Sequence, residues 1–94
     1  MVEIRVGESG EIIPSGRFDA SHSERAAKFL KEVTDSSVVD FGELEYISSA
    51  GLGILVEVQQ RLSQSGQALR IVDANPQVRD IFRFSGLDQL FEIE

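Results

Sequence analysis

The middle of this chain reads Ser48-Ser49-Ala50-Gly51-Leu52-Gly53. Before it, a short apolar run from Ser37 to Phe41 is typical of a strand, and after it the residues from Leu52 to Leu62 have apolar side chains at helical spacing. We therefore expect a strand, a loop and a helix, with hydroxyl groups at the helix start. The N–H groups at a helix start lack intrahelical partners and carry partial positive charge, so a serine there can cap the helix or hold a phosphate.

Strand and helix patterns alternate along the rest of the chain. Ser21 and Glu24 have the spacing of a capping box, and Asn75-Pro76 pairs a cap residue with the proline favoured at the first helical position. Alternating strands and helices imply crossover connections, which predict an α/β fold with a largely parallel sheet. The other expected strands are Val2 to Val6, Glu11 to Pro14 ended by a Pro14-Ser15-Gly16 break, Ala68 to Val72 and Leu90 to Ile93.

Functional groups of such a fold belong at the carboxyl ends of the strands. Phe18-Asp19, Phe41-Gly42 and the loop to Ser49 all follow expected strands, so we expect them to converge on one edge of the sheet. Asp73, after the next strand, is interpreted as a turn residue.

Length and composition indicate one small domain covering residues 1–94. With 94 residues and 41% hydrophobic content, the chain can bury one core. No apolar run approaches the roughly 18 residues needed to span a bilayer, and Met1 to Gly10 lacks the basic-then-apolar order of a signal peptide. We expect a cytoplasmic protein that does not insert into a membrane and is monomeric when free, because no heptad pattern demands self-association.

Charge and cysteine content exclude several classes of partner and site. The absence of cysteine removes disulfides, thiolate metal sites and cysteine nucleophiles together. A net charge of −7, with the nine basic residues scattered among acids, argues against nucleic acid as a partner. The acidity favours solubility, or a partner with a basic surface.

The sequence does not support an enzyme. Ile47 stands where a nucleophile elbow around Ser49 would need its first glycine, and the single histidine, His22, lies inside the expected capping box. Gly51-Leu52-Gly53 begins a dinucleotide fingerprint, but Val56 occupies the position of its third glycine. No metal-ligand spacing stands out among the acids. We therefore expect no catalysis and no bound cofactor or metal.

A longer stretch carries a family resemblance. The residues from Val38 to Gly53, Val-Val-Asp-Phe-Gly-Glu-Leu-Glu-Tyr-Ile-Ser-Ser-Ala-Gly-Leu-Gly, resemble the central segment of STAS domains of the anti-sigma factor antagonist family. Gly16-Arg17-Phe18-Asp19-Ala20 is similar to the upstream Gly-x-Leu-Asp segment of that family. The resemblance covers essentially the whole chain. It implies a small STAS-like domain, with a mixed but largely parallel sheet of about five strands and three or four helices mainly on one face.

The same resemblance implies a phosphorylation site. The family pattern is Asp-Ser-Ser/Thr-Gly-Leu, with its first Ser as the phosphate acceptor, and alignment on Gly51 makes Ser49 the acceptor. The family's Asp then falls on Ser48 and its second Ser or Thr on Ala50, so Ser48 is a rival acceptor. Asp19, Asp40 and Gly51 are the implied neighbours of the site, although Asp19 has an equally plain interpretation as a cap or turn residue.

Two functions follow from the resemblance. In the first, the unphosphorylated protein binds an anti-sigma factor serine kinase through Ser49, Leu52 and Gly53 and so releases a sigma factor. The kinase then uses ATP to phosphorylate Ser49, and a metal-dependent serine phosphatase restores the active form. In the second, the chain is an interaction module of a transporter or signalling complex that is never phosphorylated.

Overall fold

The computed structural model describes residues 2–94, except for the side chain of His22. Helices and strands alternate as expected, and three α-helices are flanked by two short 3-10 helices. In chain order the elements are β1 (Val2–Val6), β2 (Ile12–Phe18), a 3-10 helix (Ala20–His22), α1 (Ser23–Lys31), β3 (Ser37–Asp40), β4 (Leu44–Ile47), α2 (Ser49–Ser63), β5 (Leu69–Val72), α3 (Pro76–Phe84), a second 3-10 helix (Leu87–Gln89) and β6 (Glu92–Ile93).

All six strands of the described chain form one mixed sheet. Its order is β1-β2-β3-β5-β6, and β4 lies off this path, paired with β2. Only the β1–β2 pair is antiparallel, whereas β2–β3, β2–β4, β3–β5 and β5–β6 are parallel. The expected mixed, largely parallel sheet is confirmed, with six strands in place of about five.

Strand β4 is the element that the sequence analysis missed, because the residues between Phe41 and Ser48 were expected to form a loop. Asp40 Oδ1 accepts a hydrogen bond from Gly42 N at 2.8 Å, and this turn sends the chain back beside β2. The register of β4 against β2 shifts after Gly16, which leaves Glu45 as an extra residue. Four residues interrupted by a bulge do not show the alternation by which a strand is recognised.

Strand β2 continues through the Pro14-Ser15-Gly16 segment, where a break was expected. Proline has no N–H to give to a neighbouring strand, so it is normally excluded from a central strand. Here β3 pairs with β2 at Ile12 and β4 pairs with it only from Gly16 onward, so Pro14 lies between the two pairings. Gly16 takes a φ of +86°, which a side chain would disfavour.

The helices pack on one face of the sheet, where alternate strand residues are buried. Phe82 of α3 lies edge-on to Phe91 with ring centroids 5.6 Å apart and 6.0 Å from the ring of Phe41. The largest fully buried side chains are Phe18, Phe41, Phe82, Leu30, Leu44, Ile47, Leu55, Leu62, Leu69, Ile71, Val39 and Val78. One continuous core therefore joins all three α-helices to the sheet.

The opposite face of the sheet carries exposed charged side chains. Arg5 on β1 reaches across β2 to Glu43, with two N–H···O hydrogen bonds of 2.7 and 2.5 Å, and Arg17 stacks 4.4 Å over the ring of Tyr46. The hydrogen bond from Arg5 holds the pKa of the Glu43 carboxyl below its ordinary value. The ion pair of Arg5 and Glu43 therefore stabilises the fold above the pKa that Glu43 has in the unfolded chain. This stabilisation is lost as the pH falls through the lowered pKa of Glu43 in the folded chain. Both side chains are exposed, so the contribution is small.

Helix starts were predicted with mixed success. The Asn75 cap is confirmed, because its Oδ1 accepts from Val78 N at 2.8 Å and Pro76 begins α3. The capping box at Ser21 is wrong: Ser21 lies inside the first 3-10 helix and α1 begins at Ser23. A short 3-10 turn there carries the chain from the end of β2 to the helix.

Gln59 is the polar side chain that ties α2 to the far half of the sheet. It is buried, its Oε1 accepts from Leu69 N at 2.8 Å, and its Nε2 donates to Leu90 O at 3.1 Å. The amide thus pairs the N–H at the start of β5 with a carbonyl beside the second 3-10 helix. Buried backbone groups need such partners because water cannot reach them.

Replacing Gln59 with Leu is expected to lower the free energy of unfolding by about 1–3 kcal/mol, because the Leu69 N–H loses its acceptor while staying buried. The matched control is Gln60→Leu on the exposed side of the same helix, which should change stability by no more than about 0.5 kcal/mol. Urea denaturation followed by circular dichroism measures both. Equal midpoints for wild type and Gln59→Leu would show that the Gln59 hydrogen bonds add nothing.

Candidate functional site

The candidate site lies where the carboxyl ends of β2 and β4 meet. The two strands are parallel, and Phe18 is level with Ile47 in their register. The residues that follow, Asp19 and Ser48, therefore leave the sheet side by side. Of the three segments expected to converge, Phe18-Asp19 and the loop to Ser49 meet here. Phe41-Gly42 does not, because it follows β3, which pairs with the beginning of β2, and leads into β4.

Ser48 is the N-cap of α2. Its Oγ accepts a hydrogen bond from Gly51 N at 3.3 Å, and its carbonyl accepts from Leu52 N at 2.9 Å. Its own N–H donates to Phe18 O at 2.9 Å, which fastens the helix start to the end of β2. The capping alternative considered for these serines is thus realised at Ser48, whose hydroxyl is committed and half-buried.

Ser49 is the first residue of α2, three residues earlier than the helix start expected at Leu52. It is exposed, and its hydroxyl has no hydrogen-bond partner within residues 2–94. The N–H groups of a first helical turn have no intrahelical acceptors, so they give this end of α2 a partial positive charge. Ser49 therefore presents a free hydroxyl at the electropositive end of a helix.

Gly51 lets α2 approach the sheet. A Cβ at this position would lie 2.8 Å from Ile47 Cγ1, 2.9 Å from Phe18 Cδ1 and 2.9 Å from Phe18 O. The backbone of Gly51 is helical and does not take a positive φ, so close packing and not an unusual conformation explains the glycine. The carbonyl of Phe18 that it touches is the one that accepts from Ser48 N.

Gly53 and Leu52 differ sharply although both were expected at a docking surface. Gly53 is exposed and a Cβ there would meet nothing within 4 Å, so its side of the helix is flat and open. Leu52 is only 9% exposed and packs in the core, so it offers little surface to a partner. Small residues form the accessible surface beside Ser49, and Leu52 packs into the core beneath that surface.

Of the two acidic residues expected beside Ser49, one lies near the start of α2 and the other does not. Asp19 directly follows Phe18, at the N-cap position of the first 3-10 helix, and so borders the start of α2. Asp40 ends β3, which pairs with the beginning of β2, while β4 pairs with its end. About five residues of β2, or roughly 16 Å, separate the level of Asp40 from that of Ile47. This register removes Asp40 from the site.

Sequence reasoning missed the contribution of Phe18, whose carbonyl and ring both contact the helix start. In the sequence it reads only as an apolar strand residue. The His22 side chain, named above as the single histidine, lies outside the described residues. Among the side chains that are described, no group of three His, Asp or Glu could hold a metal ion.

The comparisons with known proteins bear on this arrangement. The family model described as "Mlab, STAS domain" matches residues 5–92, which include both strand ends and all of α2. The chain belongs to the STAS domain family. No helix in the described part of this STAS domain has the length and apolar character needed to cross a membrane.

A curated relative of this STAS domain carries the name of an anti-sigma factor antagonist. It is 39% identical over 56 residues to a Bordetella bronchiseptica protein provisionally named anti-sigma factor antagonist BtrV, and the alignment spans 60% of this chain and 48% of that protein. The chain thus matches about half the length of that relative.

Solved structures share the fold at low sequence identity. An anti-sigma factor antagonist from Mycobacterium paratuberculosis superposes with a TM-score of 0.82 at 20% identity, over 99% of this chain and 83% of that one. SpoIIAA in its unphosphorylated form gives 0.74 at 20% identity, over 100% of this chain and 88% of that one. Phosphorylated SpoIIAA from Bacillus gives 0.69 at 16% identity, over 100% and 91%.

Alanine at Gly51 and at Gly53 should have opposite effects on this STAS domain. Gly51→Ala is expected to lower the free energy of unfolding by about 1–3 kcal/mol, because its methyl group overlaps Phe18 and Ile47. Gly53→Ala is expected to raise it by about 0.5–1 kcal/mol, because alanine is the better residue in an open helical position. Thermal and urea denaturation measure the stability of both variants. Equal changes in stability at the two positions would contradict the close approach of α2 to the sheet at Gly51.

Proposed function

We propose that this STAS domain is an anti-sigma factor antagonist that acts by partner switching in the cytoplasm. Its unphosphorylated form binds an anti-sigma factor serine kinase and releases the sigma factor. The kinase phosphorylates Ser49, which ends the binding, and a metal-dependent serine phosphatase removes the phosphate. Support for the general role comes from the name of the curated relative, and from solved anti-sigma factor antagonist structures whose fold matches essentially the whole chain.

The observation that carries the proposal is the division of roles between the two serines. Ser48 caps α2 with its hydroxyl and fastens the helix to Phe18 with its N–H. Ser49 is then not needed for the fold, and its exposed hydroxyl is available to a kinase. This favours Ser49 over Ser48 as the acceptor, since a kinase would have to break the cap to reach Ser48 Oγ.

The surroundings of Ser49 make a phosphate an effective signal. The ten residues from Ile47 to Val56 carry no charged side chain. A phosphate adds about −1.5 to −2 charges to this uncharged segment of the chain, and the N-terminus of α2 favours an anion by about 0.3–1 kcal/mol. The domain can therefore carry the phosphate without unfolding.

A bound partner tolerates the same charge poorly. Burying a hydrated anion in an interface without basic partners costs several kcal/mol, and about 2.7 kcal/mol is enough to weaken binding a hundredfold. The exposed, flat side of α2 at Gly53 lets a partner approach close to Ser49. One phosphate is thus sufficient to open the complex.

The transfer itself needs only an acceptor from this chain. Ser49 Oγ forms a bond to the γ-phosphorus of ATP, the bond from that phosphorus to the leaving ADP oxygen breaks, and the hydroxyl proton passes to a base of the kinase. The nucleotide and its metal belong to the kinase. Asp19, beside the start of α2, is proposed to orient the Ser49 hydroxyl, since Ser48 stands where the family pattern has its carboxylate.

A second candidate is an interaction module of a transporter or signalling complex that is never phosphorylated. The observation that favours it is the replacement of two pattern residues by Ser48 and Ala50, with Ser48 serving only as a cap. Intact-mass measurement of the protein isolated from its own cells discriminates the two candidates. A species heavier by one phosphate, localised to Ser49, supports the switch.

Ser49→Ala is expected to abolish phosphorylation by the kinase while leaving folding and kinase binding at wild-type levels, because the hydroxyl makes no contact that supports the fold. Ser48→Ala is the matched control. It should remain a substrate but lose about 0.5–2 kcal/mol of stability with the helix cap. Phosphate transfer from ATP, followed by mass spectrometry, measures the first property, and urea denaturation measures the second.

Ser49→Asp should weaken kinase binding, because it adds a negative charge at the start of α2. Calorimetric titration of both Ser49 variants with the kinase tests this. Phosphate incorporation into Ser49→Ala at the wild-type level would reassign the acceptor to another residue, and equal affinities of wild type and Ser49→Asp would count against a charge-based switch.

Gly53→Gln tests whether the flat side of α2 is the docking surface. A Gln side chain fits the open helical position without loss of stability, but it would stand between the partner and the Ser49 surface. We expect weaker kinase binding at unchanged or higher stability. Gln64→Ala, near the C-terminal end of the same helix, serves as the control and should bind as wild type does. If Gly53→Gln also binds as wild type, the docking surface lies elsewhere.

A further inference from the structure

A groove between α1 and α2 collects much of the positive charge of this acidic chain. Its volume is 460 Å³, and it is lined by Glu24, Arg25, Ala27, Lys28, Lys31, Ile54, Glu57, Val58 and Arg61. Four of the nine basic residues of the chain line it, against only two of the sixteen acidic ones. The groove is therefore a positive island on a molecule whose net charge is −7.

The basic side chains of the groove fall into two kinds. Arg61 is fixed, because its guanidinium donates to Val33 O at 2.7 Å and to Leu30 O at 3.0 Å at the C-terminal end of α1. Arg25, Lys28 and Lys31 are exposed, and none of them forms a salt bridge within the described chain. Three of the four cations are thus free to pair with an incoming anion.

The floor of the groove is apolar. Val58 is buried, and Ile54 and Ala27 are half-buried beside it. The lining residues of α2 recur at positions i, i+3, i+4 and i+7 from Ile54, and those of α1 do so from Glu24, with Arg25 in addition. The groove therefore follows both helices for about seven residues, or about 10 Å. Ala27 leaves the space that a larger residue would fill.

An apolar floor with cationic sides is complementary to an acidic amphipathic helix. Such a helix places apolar anchors at i, i+3 and i+4 on the floor and its carboxylates against the basic rim. An anionic membrane is a poorer match, because the groove is concave and narrow whereas the surface of a bilayer is flat. We propose that the α1–α2 groove docks an acidic amphipathic segment of a partner protein.

This surface is separate from the phosphorylation site and does not depend on the proposed function. The groove begins at Ile54, five residues along α2 from Ser49, and continues away from it toward Arg61. A partner held there stays in contact whether or not Ser49 carries a phosphate. The groove thus provides a second, constitutive contact beside a switchable one.

The test uses the full chain and a fluorescein-labelled helical peptide of about 14 residues with Leu at the anchor positions and Glu elsewhere. Fluorescence anisotropy gives the affinity, and ¹H–¹⁵N NMR shifts give the location. We expect binding that weakens as salt is raised, with shifts concentrated at Ala27, Lys28, Ile54 and Val58. A peptide with Lys in place of Glu should not bind.

The decisive variant is Lys28→Glu with Lys31→Glu, which should weaken peptide binding by about tenfold or more. Arg79→Glu with Arg83→Glu makes the same change in net charge on α3 and should leave the affinity within about twofold of wild type. Both pairs of side chains are exposed, so the variants should fold.

Several outcomes would overturn the proposal: equal loss in both variants, no binding of the acidic peptide, or shifts on another surface. If the protein binds phosphatidylglycerol vesicles more tightly than the peptide, the occupant of the groove is a membrane and not a protein segment. Self-association that competes with the peptide and is abolished in the Lys28, Lys31 variant would make the occupant a second copy of this chain. Ser49→Ala should bind the peptide as wild type does, so failure here is distinguishable from failure of the phosphorylation switch.

Discussion

The close approach of α2 to the ends of β2 and β4 is the constraint on which the rest of the structure depends. At this point the carbonyl of Phe18 accepts from Ser48 N, and a Cβ on Gly51 would come within 2.9 Å of the same oxygen. The contact fixes the direction in which α2 leaves the sheet. It also sets Leu55, Val58 and Leu62 over the core and turns Ser49 outward. The geometry of the candidate site is therefore a consequence of packing, not an addition to it.

Charge is distributed so that the two surfaces of α2 have different chemistry. The first turn of α2 carries no charged side chain of its own, so a phosphate on Ser49 would be the first charge in this part of the helix. The groove beside the middle of the helix is basic, and its fixed cation, Arg61, also satisfies carbonyls at the end of α1. The acidic remainder of the molecule discourages nonspecific binding to nucleic acid and to anionic lipid. Selectivity for partners can thus arise from where the few basic residues lie.

The polar contacts of Gln59 and Arg61 hold α2 in its position on the sheet. Gln59 joins α2 to β5 and to the chain before β6, while Arg61 joins it to α1. Each of these side chains donates to or accepts from backbone groups near the ends of helices and strands, where regular pairing stops and a small domain gains stability from further partners. The longest helix is in this way held on both flanks. Its N-terminal turn can present Ser49 without depending on a partner for order.

The sequence by itself determined the elements that have strong local signals. Alternating apolar residues predicted β1, the Asn75-Pro76 pair predicted the start of α3, and strand–helix alternation predicted the parallel sheet. The family resemblance extended this to the STAS fold and to the hydroxyls at the start of α2, because a contiguous motif can be read without knowing what surrounds it.

Only the tertiary structure decided matters that depend on distant residues. Strand β4 is recognisable only beside β2, since its four residues and bulge carry no periodic signal of their own. The need for glycine at position 51 arises from Phe18, which is far away in the chain, and the distance of Asp40 from the site arises from strand register. The separate roles of Ser48 and Ser49 likewise follow from which hydroxyl points at an N–H group of the helix. Local sequence specifies dihedral preferences and periodicity, whereas contacts between chain segments are set by the packing of the whole core.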